Sequence, residues 1–283
     1  MNNLHQGYAP GKLILSGEHS VVYDQPAIAV PLSLGVHITL EGIEGPLSIP
    51  DLDPRLTQAW QLVLPSTGLK LSLEASLPIG CGLGSSAAIS IATLRALASF
   101  QKREPSFAWL FEEGFTLERI FHGTPSGLDH AVCALEQSIC YHKKERTFDP
   151  IVLPEMELVV IHSNEPKQTK KMVAKVRSNW PNNQAIIADI GQCTRTIIEQ
   201  SDRKEIGRLL TINHQLLQTL GVSTPKLDHL VALSMEHGAY GAKLTGAGGG
   251  GIMFALVENS LSFLSTIKNL GYEGFAVHTG KTS

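Results

Sequence analysis

The stretch Pro78-Ile79-Gly80-Cys81-Gly82-Leu83-Gly84-Ser85-Ser86-Ala87-Ala88 places glycine at alternate positions directly ahead of a serine pair. Alternate glycines let a chain turn tightly and approach a ligand without Cβ clashes. The following run, Ala87 to Phe100, is rich in Ala, Leu and Ile, free of Gly and Pro, and reads as a helix. Unpaired N–H groups and the positive end of the helix dipole would converge at its start, which favours an anion and above all a phosphate. The hydroxyls of Ser85 and Ser86 can cap the helix, touch phosphate oxygens or ligate Mg²⁺. The plain alternative is a glycine-rich turn with a serine cap. The segment has no Lys, which excludes a Walker A loop.

Three further groups could carry chemistry. Lys12, in Ala9-Pro10-Gly11-Lys12, and Gly17-Glu18-His19 bracket one short strand with a Lys, a Glu and a His. A surface lysine and a Glu-His turn would look the same. Glu118 ends one helical stretch and Asp129 begins another, with His122-Gly123-Thr124-Pro125-Ser126-Gly127 turning between them. Two carboxylates folded toward one point can divide labour, one ligating Mg²⁺ and one accepting a proton. Asp129 could equally be an acid favoured in a first helical turn. Finally, Lys243-Leu244-Thr245-Gly246-Ala247-Gly248-Gly249-Gly250-Gly251 satisfies GxGxxG, but Ile252 to Val257 after it reads as a strand, and no ribose-binding acid stands in a second strand. The dinucleotide reading fails on that context, and a glycine loop lying against a ligand is the better account. Asp51-Leu52-Asp53 with its flanking prolines reads as a turn, and the eleven histidines show neither HExxH nor zinc spacing.

Such residues need a framework, and the chain is long enough for one. Its 283 residues suit two modest domains or one large one, and 43% hydrophobic with 17% charged residues is a globular balance. A net charge of −3 argues against a nucleic-acid or membrane-surface binder. The one basic cluster, Lys167 to Lys175, reads as a solvated helix face. Cys81, Cys133, Cys140 and Cys193 form no CxxC pair and read as free thiols of a reducing compartment. Met1 to Gly11 lacks the apolar stretch of a secretory leader, and no apolar run approaches a membrane span. The expectation is a soluble cytoplasmic protein.

Strands are expected at Lys12–Ser16, Ala27–Val30, Val36–Leu40 and Leu69–Ala75, with breaks at Pro26, Pro31 and Gly35. Helices follow at Ala87–Phe100, Phe107–Phe121 and near Leu128–Ala134, then strands at Ile139–His142 and Leu158–His162. Beyond a boundary at Pro150–Pro154, Lys170–Trp180, Asn183–Gln200, Lys204–Leu220 and Leu227–His237 are helical in pattern. Ala242–Thr245, Ile252–Val257 and Phe275–Thr279 close the chain as strands. This mixture is that of an α+β protein.

Taken in order, Ala9–Tyr23, Pro78–Ala88, Glu118–Asp129 and Lys243–Gly251 resemble the signature segments of the GHMP kinases, in wording closest to the mevalonate kinases among them. The resemblance implies two domains, 1–154 and 155–283: an N-terminal one like ribosomal protein S5 and a ferredoxin-like C-terminal one, with the active site between. It implies ATP and Mg²⁺ as cofactors. Gly80, Gly82, Leu83, Gly84, Ser85 and Ser86 would hold the ATP phosphates, and Ser86 with Glu118 the Mg²⁺. Asp129 would be the catalytic base with Lys12 its cationic neighbour, while Glu18, His19, Ser126, Thr169 and Ala247 would serve the acceptor, mevalonate. It leaves room for a homodimer.

Two departures from the pattern stand out. The stretch from Leu40 to Leu69 is short for the family, which often carries an insertion there that helps form the adenine pocket. Lys167 also stands where the family often has Arg, so a point charge replaces a bidentate fork. Phosphomevalonate, homoserine and sugar kinases are the rivals within the superfamily. Ser20-Val21-Val22-Tyr23 after Glu18-His19 counts against a sugar, and Lys12 against a related decarboxylase. A silent ATP-binding protein is the rival of another class, and the presence of Lys12, Ser86, Glu118 and Asp129 counts against it.

Overall fold

A computed structural model of the chain describes residues 4–122 and 126–279. Gly123, Thr124 and Pro125, the middle of the expected turn before Asp129, lie outside the described residues. The described residues form two compact units, 4–12 with 31–122 and 126–136, and 13–30 with 137–279. Strands β1 (Leu4–Ser16) and β2 (Ala27–Pro46) each contribute to both.

In the first unit, β2 pairs antiparallel with β3 (Thr67–Ala75), Val36 opposite Ala75 through Gly42 opposite Leu69. Helix α1 (Pro54–Val63) follows β2, and α2 (Ser85–Phe100), α3 (Phe107–His122) and α4 (Leu128–Leu135) follow β3. Ala87 to Leu94 and Ala96 to Ala98 of α2 are all buried, so α2 is apolar all round, as suits a central helix enclosed by its neighbours. Both α3 and α4 pack on it. The Trp60 indole of α1 donates to Thr93 Oγ1 of α2 at 3.1 Å, which gives a buried N–H its partner.

In the second unit, β6 (Glu157–His162), β7 (Gly241–Leu244), β8 (Ile252–Val257) and β9 (Gly274–His278) form a sheet of order β7-β8-β6-β9, with every pairing antiparallel. Helices α5 (Thr169–Ser178), α6 (Trp180–Ile198), α7 (Arg203–Thr219) and α8 (Pro225–Glu236) separate β6 from β7, and α9 (Ser260–Asn269) separates β8 from β9. Strand β6, then helix, β7, β8, helix and β9 in that order is the ferredoxin-like arrangement, with additional helices in its first crossover. Val159, Ile161, Leu244, Met253 and Ala255 of the sheet share one core with Met172, Ile187, Leu217, Leu227 and Phe263 of the helices. The first residues of β2 pair with β4 (Ile139–His142), which pairs with β5 (Thr147–Pro150).

The sequence pattern broke β2 at Pro31 and Gly35, whereas the strand is continuous. Pro31 falls between the β4 register at Ala27–Ala29 and the β3 register that starts at Val36, so neither ladder requires its missing N–H. Gly35 marks a close approach: a Cβ there would lie 2.5 Å from the Ala9 carbonyl oxygen of β1. Asp51–Asp53 bends ahead of α1, a helix the sequence pattern does not predict, and Asp53 caps it by accepting from the Arg55 N–H at 2.9 Å with Pro54 in the first turn. Helix α9 and strand β5 had no expectation attached to them. No helix among the described residues is long and apolar enough to cross a membrane.

Candidate functional site

The glycine-rich segment of the first unit turns by left-handed backbone at each alternate glycine. Gly80, Gly82 and Gly84 have φ of +82°, +91° and +73°, values that a side chain would strain. Helix α2 begins at Ser85 with Gly84 as its cap and no side-chain cap bond. Its first N–H groups therefore keep the anion-binding character of a helix start. Ser85 Oγ accepts from the Gly80 N–H at 3.2 Å and closes the loop on itself. Leu83 is fully buried, and its carbonyl accepts from the Lys12 N–H at 2.8 Å. Gly84 lies against the same lysine, since a Cβ there would meet Lys12 Cγ at 2.7 Å. The loop is thus fastened to the strand that carries Lys12.

Lys12 is buried, and its Nζ lies 3.0 Å from Asp129 Oδ1 in the first turn of α4. Asp129 is about a third exposed, so a charge-bearing carboxylate stays reachable beside a cation whose stem is packed. Ser126 Oγ accepts from the Leu128 N–H at 3.3 Å, and Gly127 between them, at φ +88°, is the cap of α4. Glu118, from the last turns of α3, is 1% exposed, and its Oε1 has no hydrogen-bond partner among the described residues. Burial, and next the charge of Asp129, pushes its carboxyl up to about 7, with Ser86 and Lys12 pulling the other way. His122 Nε2 lies 3.3 Å from Ser86 Oγ and 3.6 Å from Glu118 Oε2. A buried carboxylate oxygen lacking a partner beside a serine hydroxyl is a hard donor pair that fits Mg²⁺, which takes its remaining ligands from water and phosphate. No group of three or more His, Cys, Asp or Glu suited to a metal occurs among the described residues.

In the second unit, Glu18 and His19 form the corner after β1 and lead into a 3₁₀ turn, Ser20–Tyr23. His19 has φ +61°, an unusual conformation for a residue with a side chain. Its Nε2 is 2.9 Å from the Ala247 carbonyl oxygen. A carbonyl only accepts, so Nε2 carries the proton. Burial lowers the His19 pKa, against the opposing pull of that bond and of Glu18. The Glu18 carboxylate accepts from Lys243, which is fully buried and also donates to the Leu244 carbonyl at 2.7 Å.

Every glycine from Gly246 to Gly251 has positive φ, and a Cβ at Gly249 would strike Met172 and Gln168 at the start of α5. The Gly251 N–H donates to the Glu165 carbonyl at 2.9 Å. Thr169, exposed, is the first residue of α5, so this loop brings Ala247, the α5 start and His19 into one neighbourhood. Lys170, Lys171 and Lys175 are exposed, as a solvated helix face requires, although the Lys175 ammonium donates to the Gly221 carbonyl at 2.6 Å.

Sequence reasoning gave no role to Lys243, His122, His130 or His214. In the sequence Lys243 only starts a glycine block, and burial of a lysine leaves no mark there. His130 is fully buried against Phe111 and Phe115, and burial lowers it to about 4. His214 accepts from the Leu244 N–H through Nδ1 at 3.4 Å and sets Nε2 3.2 Å from Asp228 Oδ1. Burial lowers it to about 4 as well, despite Asp228 and with the help of Lys243. The four cysteines are free thiols, and burial raises Cys140 and Cys193 to about 11, which makes them poor nucleophiles.

Comparison with known proteins brings in relatives. Family descriptions of the GHMP kinases match twice, the N-terminal domain over residues 55–137 and the C-terminal domain over residues 195–264. A mevalonate kinase of Thermococcus sibiricus is 34% identical over 303 residues, spanning 91% of this chain and 90% of that protein. The crystal structure of the Methanococcus jannaschii mevalonate kinase superposes with a TM-score of 0.84 at 26% identity, covering 98% of each chain. That of L. major mevalonate kinase in complex with R-mevalonate superposes at 0.88 and 24% identity, covering 100% of this chain and 98% of the other, and at that identity shows a common fold.

Proposed function

We propose that this chain, which belongs to the GHMP kinase family, transfers the terminal phosphoryl group of ATP to the primary hydroxyl of mevalonate and yields 5-phosphomevalonate. The observation that carries the chemistry is the placement of Lys12, fastened through its backbone and stem to the glycine loop and through its ammonium to Asp129. The acceptor rests on the likeness to proteins named mevalonate kinase along nine-tenths of the chain.

Phosphoryl transfer needs little covalent help, so position and charge neutralisation dominate. The loop from Gly80 to Ser86 binds the phosphates through backbone N–H groups. Lys12 offsets their charge. Asp129 takes the proton of the acceptor hydroxyl as the new O–P bond forms and the bond to ADP breaks. Glu118 and Ser86 would hold Mg²⁺, which when bound neutralises phosphate charge. Glu18, His19, Ser126, Thr169 and Ala247 recognise the acceptor. On this reading the chain divides for function into 1–154 and 155–283.

The test is coupled ADP release in the presence of Mg²⁺ with mevalonate, phosphomevalonate, homoserine and galactose. Mevalonate should show the highest kcat/KM. One observation favours a second reading, in which the acceptor is already phosphorylated: Lys170 and Lys171 are exposed at the α5 start. A kcat/KM for phosphomevalonate equal to or above that for mevalonate would establish that reading and overturn the first.

A further inference from the structure

The dipeptide Glu18-His19 is gripped at two points by one stretch of chain. Lys243 takes Glu18 Oε1, and the Ala247 carbonyl takes His19 Nε2. Lys243 belongs to β7, where it pairs with Phe254 of β8, and its ammonium stands 5.4 Å from the centre of the Phe254 ring. It is therefore set by a strand in register, the kind of element that holds a functional group precisely. Glu18 is left with Oε2 buried and without a hydrogen-bond partner among the described residues.

A buried ion pair adds little net stability against an apolar pair of the same size, and a carboxylate oxygen left bare in the interior is unfavourable. Stability alone therefore does not account for the arrangement. His19 also holds a left-handed backbone conformation that the surroundings must maintain. We infer that Lys243 is a positioning residue for acceptor recognition. By holding Glu18 Oε1 it keeps Oε2 available to accept from an acceptor hydroxyl, while Ala247 fixes His19 beside it. This inference rests on the kinase reading above and assigns that reading a residue outside the glycine, serine and carboxylate groups it already uses.

The decisive variant is Lys243→Arg, which preserves the charge. A guanidinium forms a fork that engages both oxygens of a carboxylate, so Oε2 would be taken. Loss of one charge-assisted hydrogen bond to the acceptor should then raise its KM at least about tenfold, with the KM for ATP unchanged. Circular dichroism and thermal melting confirm the fold. A folded Lys243→Arg with the wild-type acceptor KM overturns the inference. If that variant does not fold, the charge-neutral double variant Glu18→Gln with Lys243→Met decides. Recovered melting with an acceptor KM raised above that of Glu18→Gln alone supports positioning, and recovered melting with a KM no higher than that of Glu18→Gln alone, or a double variant that still fails to fold, shows a structural pair and overturns it. The acceptor used is the one the wild type turns over fastest among the four. A preference for another acceptor overturns the mevalonate reading yet leaves this test intact, whereas turnover of none overturns both.

Discussion

Asp129 and Glu118 place one chemical group in two surroundings, to which the proposed mechanism gives two tasks. Asp129 is partly exposed and paired with Lys12, whereas Glu118 is enclosed and raised to about 7 chiefly by burial. Asp129→Ala should lower kcat by roughly 10²–10⁴, the usual loss for a general base, with little change in the KM for ATP. A variant keeping more than about a tenth of the wild-type kcat removes the base assignment. Glu118→Gln should raise the Mg²⁺ concentration needed for half-maximal rate, because the amide lacks the charge a hard cation favours. The same change should stabilise the Mg²⁺-free protein at high pH. A carboxyl with a folded pKa above its unfolded one contributes stability below pH 4.5 and loses it as pH rises through 7. The rise from 4.5 to about 7 corresponds to about 3 kcal/mol at pH 8. Melting without Mg²⁺ should show Glu118→Gln above wild type at pH 8 and level with it near pH 5, and no gap at pH 8 would contradict this. These residues were legible as types at a spacing. What the sequence withheld was enclosure: Glu118 and Lys243 lie on segments whose other residues do not announce that they are buried.

Among the elements, the glycine loop and α2 answer closely to their pattern, because alternate glycines followed by an apolar run leave the backbone little else to do. The misread elements share a cause. Strand β2 runs on through Pro31 because its partners change there, and α1 depends on the Asp53 cap and on Trp60 reaching α2, both tertiary facts. A paired substitution tests what the loop glycines are for. Gly80 and Gly84 both have positive φ, so alanine strains either position by about 1–2 kcal/mol. They differ in space: a Cβ at Gly80 meets nothing within 4 Å, whereas one at Gly84 meets Lys12 Cγ at 2.7 Å. Gly84→Ala should therefore lose more melting temperature than Gly80→Ala. It should also lower kcat by displacing Lys12. Equal losses in stability and rate would show that only backbone strain matters.

At the scale of the whole molecule, the α+β character was legible from strands and helices in both halves. The sharing of β1 and β2 between two units was not, since a period of two identifies a strand but never its partner. Those two units should respond differently to acid. Each encloses a histidine that burial lowers to about 4, His130 in the first and His214 in the second. A folded pKa below the unfolded 6.5 means that the unfolded chain binds more protons between pH 6.5 and 4, so stability present at neutral pH is lost as pH falls. In the first unit Glu118 acts in the opposite sense, because it gains stability as pH falls from 7 to 4.5. Glu118 thus opposes His130 in the first unit, whereas the loss from His214 has no such raised carboxyl against it among the described residues of the second. Trp60 in the first unit and Trp180 in the second, where it stacks on Tyr23 at 3.8 Å, provide separate reporters in single-tryptophan variants. On acidification from pH 7.5 in mild denaturant, the Trp180 signal should change at a higher pH than the Trp60 signal. His214→Gln, whose amide neither gains nor loses a proton, should narrow that gap. Loss of the Trp60 signal first, or a gap unmoved by His214→Gln, would show that these buried groups do not set the order in which the units give way.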